Sequence, residues 1–207
     1  MRRLILTGAL ATLVVAAPAA AKTLNFTCQG YAEDAAGGRL AALLQVDAAG
    51  TLGDLTSTWM PPAKASPLVK GTAVYDAELA VTAPGEALLT VSALAPPGAR
   101  ATPATLYRDL DGLRLVVSID GAAPQVLGYA NDLVTDDLPL TANRTARLAL
   151  PESARSVVAE LRNAKGVVVR SVHFDLSDGA ARQRLLDTAG AEARRAAASY
   201  QTCEKIG

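Results

Sequence analysis

The sequence predicts a mainly β protein: an antiparallel β-sandwich, or a barrel-like closure of the same strands, with a C-terminal α-helix packed on the sheet. Three observations predict it. From Leu24 onward, apolar and polar residues alternate in short segments, the period of half-buried strands. Turn-forming Gly, Pro, Asp and Asn separate those segments at short intervals, and the absence of helical runs between them argues against βαβ units. After Ser177 the apolar spacing changes to three and four, the period of a helix.

The first 21 residues stand outside the alternation. Met1-Arg2-Arg3 is a charged start, Leu4 to Ala17 is apolar, and Ala19 and Ala21 occupy the small positions of an A-x-A cleavage site, the layout of a secretory leader. The apolar run is about 14 residues, short of the roughly 20 needed to span a bilayer. The expected organisation is a cleaved leader over 1–21 and one β-rich domain over 22–207, with a subdivision conceivable near 95–103. No membrane span is expected once the leader is removed.

Taken in order, Leu40, Ala42, Leu44 and Val46 fall on one face of a strand, Ala48-Ala49-Gly50 turns, and Leu52 to Met60 returns as far as the breaker Pro61-Pro62. A run from Val69 to Val81 follows, and Ala83-Pro84-Gly85 leads into a strand over Glu86–Leu94. Ala95 to Arg100 reads as a linker or a crossover. Leu106 to Leu110, Leu113 to Ile119 and Gln125 to Ala130 read as a three-stranded meander turning at Asp111-Gly112 and Asp120-Gly121. Asn131 to Pro139 is an acidic loop. Strands are expected over Arg144–Leu150, Arg155–Asn163 and Gly166–Leu176, the last two joined at Asn163-Ala164-Lys165-Gly166. Ser177 or Asp178 caps the final helix, whose apolar stripe runs through Leu185, Ala189, Ala193, Ala196, Tyr200 and Cys203.

Charge excludes some functions. The chain has 20 basic and 20 acidic residues; without Arg2 and Arg3 the balance is 18 against 20, near −2. Nothing in that balance would attract nucleic acid or anionic lipid. Aromatic residues make up only 4% of the chain, too few for base-stacking platforms. The two cysteines, Cys28 and Cys203, lie near the two ends of the mature chain and are expected to pair, as an even count does in an oxidising compartment. Location in a bacterial periplasm, or secretion, follows as the expectation.

Chemistry-bearing residues are few. His173, the sole histidine, shares a strand face with Ser171 and Asp175, but side chains two apart on a strand project in parallel and do not form a nucleophile–base pair. With one histidine and both cysteines committed, no zinc site or other metal site is expected, and no cofactor motif is present. Asp132, Asp136 and Asp137 gather in the acidic loop without the spacing of a calcium loop. Trp59, the one tryptophan, is either core or an anchor for a partner. No residue is assigned a catalytic role. The expected function is a non-catalytic module binding a small ligand or another envelope protein. The alternative is a periplasmic hydrolase using carboxylates assembled by the fold, with Asp132, Asp136, Asp137, His173 and Asp175 as its first residues.

Overall fold

The computed structural model describes residues 25–67, 74–96, 101–130, 141–199 and 203–206. The expected leader over 1–21, the expected acidic loop with Asp132, Asp136 and Asp137, the start of the Val69 run, the end of the Ala95–Arg100 linker and Tyr200 lie outside them.

The described residues form twelve strands and two helices. In chain order these are β1 Asn25–Glu33, β2 Arg39–Val46, β3 Leu52–Met60, β4 Ala63–Ala65, β5 Val74–Ala83, β6 Glu86–Leu94, α1 Pro103–Asp111, β7 Arg114–Ile119, β8 Gln125–Leu127, β9 Thr141–Ala149, β10 Ser156–Arg162, β11 Val168–Asp175, α2 Gly179–Ser199 and β12 Cys203–Ile206. Seven strands make one sheet in the order β12-β1-β2-β3-β5-β6-β9, and five make the other in the order β4-β11-β10-β7-β8, all pairs antiparallel. The sheets also touch where β11 lies beside β5 and where the edge strands β8 and β9 meet. Fold class and terminal helix agree with the sequence reading.

The alternation predicted for β2 is observed, with Leu40, Ala42, Leu44 and Val46 all buried. Leu89 and Val91 of β6, Val157 and Leu161 of β10 and Phe174 of β11 join Leu40 in one buried cluster that draws on both sheets. The turns carry the expected chemistry. Gly50, Gly85 and Gly166 have φ of +83°, +82° and +78°, a region that costs glycine nothing. The Asn163 side chain accepts hydrogen bonds from the amides of Lys165 and Val167 at 3.0 Å each.

Two expectations are corrected. Residues 103–111 form helix α1, so the expected three-stranded meander reduces to the β7–β8 hairpin at Asp120-Gly121. Thr102 caps α1: its hydroxyl accepts from the Thr105 amide, the Thr105 hydroxyl accepts from the Thr102 amide at 3.0 Å, and Pro103 opens the first turn. Leu106 and Leu110, four apart, are buried against β6 and β9. That spacing fits a helix face as well as a strand face, and the cap decides between them. Arg144 of β9 then fixes the helix, stacking 4.2 Å from the Tyr107 ring centroid and bonding both Asp111 carboxylate oxygens, at 3.0 and 3.2 Å.

The second correction concerns Cys203, which lies in strand β12 and not on the helical stripe. It pairs in register with Cys28 of β1, and the two form the expected disulfide, with S–S 2.02 Å and a sequence separation of 175.

Helix α2 lies across β1 and β2, burying Leu185, Ala189, Ala193, Ala196 and Ala197. Its approach is close because β1 presents Gly30 to it. A Cβ at Gly30 would lie 2.6 Å from the Ala193 amide nitrogen and 2.9 Å from the Ala189 carbonyl carbon, closer than real Cβ atoms come to backbone. At the margin of the sheet, the Tyr31 amide of β1, beyond the reach of β12, donates to Glu192 of α2 at 2.7 Å. The helix thus covers an edge that would otherwise offer free backbone groups.

Candidate functional site

The site begins with two prolines. Trp59 ends the buried face of β3, in register with Leu40 of β2 and Val81 of β5, and among the described residues it is the one through which β3 and β5 are paired. Pro61 and Pro62 follow; neither can donate to a ladder, so pairing with the first sheet stops. The chain crosses to the second sheet, where Ala63, Lys64 and Ala65 pair with Phe174, His173 and Val172 of β11. A pocket of about 420 Å³ opens at this crossing. Its apolar wall is Trp59, Pro62, Ala63 and Ala181, and its charged rim is Asp34, Lys64, Asp175 and Asp178 with His173.

Each rim carboxylate has a local reason to be where it is. The Oδ1 of Asp34, in the β1–β2 turn, accepts from the amides of Ala36 and Gly38, both at 2.9 Å. The Oδ1 of Asp175, ending β11, accepts from the Ser177 amide at 2.9 Å and from its hydroxyl at 2.6 Å. The Ser177 hydroxyl, then the Ser177 amide, and beyond them His173 and Lys64, hold this carboxyl below its ordinary range despite partial desolvation. Asp178 caps α2, its Oδ1 accepting from the Ala181 amide at 2.8 Å. The second oxygen of each carries no hydrogen bond among the described residues.

Trp59 is 4% exposed and belongs to the core, yet its ring also walls the pocket. The core reading of that residue is the one observed. The Arg182 guanidinium lies 5.0 Å from the ring centroid, and a second cavity of about 400 Å³ that Arg182 helps to line shares the Trp59 ring. Among the described residues, the buried indole Nε1 has no acceptor.

The structure therefore brings Trp59, His173 and Asp175 to one pocket, while Asp132, Asp136 and Asp137 lie outside the described residues. Sequence reasoning missed Asp34 and Lys64 and saw Asp178 only as a helix cap. Asp34 looks like any turn aspartate, and Lys64 acquires meaning only through its register with His173. His173 is exposed, and among the described residues no hydrogen bond joins it to Ser171 or Asp175. Among the described residues, no group of three or more His, Cys, Asp and Glu is placed to hold a metal ion. Among them, too, no helix is long and apolar enough to cross a membrane.

Comparison with family models, curated proteins and solved structures found no match. The geometry of the pocket is thus the ground for any functional reading.

Proposed function

We propose that this chain is an exported bacterial envelope protein that acts as a non-catalytic binding module, holding a small ligand in the pocket at the β3–β4 crossing. One observation carries the reading: an apolar pocket of ligand size, walled by a buried tryptophan and rimmed by a few polar groups. The leader-like start of the sequence and the Cys28–Cys203 disulfide support export. The hydrolase alternative gains no specific support, because each rim carboxylate is engaged by its own turn or cap and, among the described residues, no hydrogen bond joins the His173 side chain to another pocket residue.

The test uses Trp59, which as the sole tryptophan reports from the site by its fluorescence. Titration with 2-phenylethanol, an uncharged probe with an aromatic body, is expected to change the emission saturably. Ala181→Phe, which places a ring in the pocket, is expected to abolish the change. A non-saturable response, or one that survives Ala181→Phe in a folded protein, refutes the reading.

A further inference from the structure

Resting on the pocket reading above, we infer that the ligand is an organic cation: an amine whose apolar body sits against Trp59, Pro62 and Ala63 while its ammonium group meets the rim carboxylates. The charges facing the cavity are the carboxylates of Asp34, Asp175 and Asp178 against the single ammonium of Lys64, with His173 beside them. Arg182 lies over the Trp59 ring and lines the neighbouring cavity, not this one. The excess is negative. All three carboxylates reach the rim from different segments (the β1–β2 turn, the end of β11 and the start of α2), and all three use only Oδ1 for the backbone.

Local structure requires the three acceptors but, at Asp34, not the charge. An asparagine at Asp34 or Asp175 would accept the same amide bonds, since Asn and Asp serve turns and caps about equally. Asp178 also gains from the helix dipole, so its charge has a second reason. For Asp34 the negative charge is surplus to the turn; at Asp175 the charge also strengthens the two bonds from Ser177, and both charges favour a cation in the adjoining cavity.

A matched series separates the chemistry of the ligand from the existence of the site. The probes are 2-phenylethylamine, phenylalanine, 3-phenylpropionate and the uncharged 2-phenylethanol, each titrated against the full mature chain by Trp59 fluorescence and ligand-observed NMR. The amine is expected to bind about tenfold more tightly than the alcohol at low ionic strength, because exposed ion pairs contribute a few-fold each. The anion is expected to bind most weakly, and the gap should narrow at high salt. The variant D34N/D175N should erase the preference for the amine over the alcohol, and Lys64→Ala should strengthen amine binding a few-fold. Equal binding of all four probes, or tightest binding of phenylalanine or 3-phenylpropionate, overturns the inference and leaves the pocket reading standing. No saturable binding of any probe overturns both.

Discussion

The helix that starts at the pocket is held to the sheet at one point where a single carbon would not fit. In Gly30→Ala the new Cβ would sit between the Ala189 carbonyl and the Ala193 amide of α2. Both obstacles are backbone of a continuous helix, so no rotamer change relieves them. To restore a normal separation from the carbonyl oxygen, the helix must retreat by about 1 Å. A gap of that size forfeits roughly a quarter to a half of the dispersion contacts along the helix face. The face consists of Leu185, Ala189, Ala193, Ala196 and Ala197, all buried. Overpacking of this kind costs about 1–3 kcal/mol, and here it falls at the upper end because the obstacle is rigid. Replacing glycine in a strand returns about 0.5–1 kcal/mol of backbone entropy. The expected net loss is about 2 kcal/mol, which for a chain of this size lowers Tm by roughly 4–8 °C. Urea unfolding of the oxidised protein measures it, and hydrogen exchange localises it: the Tyr31 amide, bonded to Glu192 across the same junction, should exchange faster in the variant. Gly190→Ala is the control. Its Cβ would meet the movable tips of Leu55 and Arg194 at 3.3 and 3.5 Å, and alanine gains about 1 kcal/mol of helix propensity, so its stability should stay near wild type. A Gly30→Ala protein as stable as wild type, with an unchanged Tyr31 amide, would refute this account of how helix and sheet meet.

Reducing the Cys28–Cys203 bond frees a loop of 175 residues and should lower stability by about 5 kcal/mol in the chain-entropy model; urea unfolding with and without reductant reads the difference, and coincident curves would show that the bond does not constrain the unfolded chain. Because β12 pairs, among the described residues, with β1 alone, its amides should lose protection first on reduction. Burial, reinforced by the charge of Asp111 and opposed by that of Arg144, pushes the Tyr129 hydroxyl up to about 12. Between the ordinary tyrosine value near 10 and that figure, the unfolded chain has released this proton and the folded chain still holds it, so stability falls as pH rises through the window. Spectrophotometric titration of wild type against Tyr129→Phe should reveal a late tyrosinate phase only in the former, and its appearance near pH 10 in a folded protein would contradict the burial seen here.

What the sequence discloses and what it hides divide along physical lines. Period-two patterning in β2, β6, β10 and β11 is read directly, because one face of each strand is buried and the other is not. Helix α1 escapes that reading, since Leu106 and Leu110 satisfy either period, and the deciding signal is the short Thr102-Pro103-Ala104-Thr105 cap. Cys203 continues the α2 spacing by coincidence: the helix ends at Ser199, and the residue belongs to the pairing partner of β1. Gly30 is silent in sequence, for a glycine inside a strand marks a close approach without naming what approaches. Trp59, His173 and Asp175 are each visible as isolated candidates. Their convergence is not, because it depends on which strand of the second sheet receives the chain after Pro62.

That crossing explains why a pocket exists at this place at all. A strand that ended in a hairpin would keep its neighbour in register and close the gap. Here two consecutive prolines end pairing with the first sheet at Met60, β3 and β5 are joined among the described residues at Trp59 and Val81 alone, and the next paired residues lie in the other sheet. Space is left between the diverging sheets, and the start of α2 bounds it on one side. Chain reversals and helix starts attract aspartates, so the segments that meet around such a gap bring carboxylates with them. The fold thereby sets an aromatic wall and an acidic rim against each other for reasons of backbone geometry alone. Selection for a ligand would then act on the choice the backbone leaves open: whether those acceptors are charged. At Asp34 and Asp175 they are, and that is where the D34N/D175N variant separates a role in binding from a role in folding.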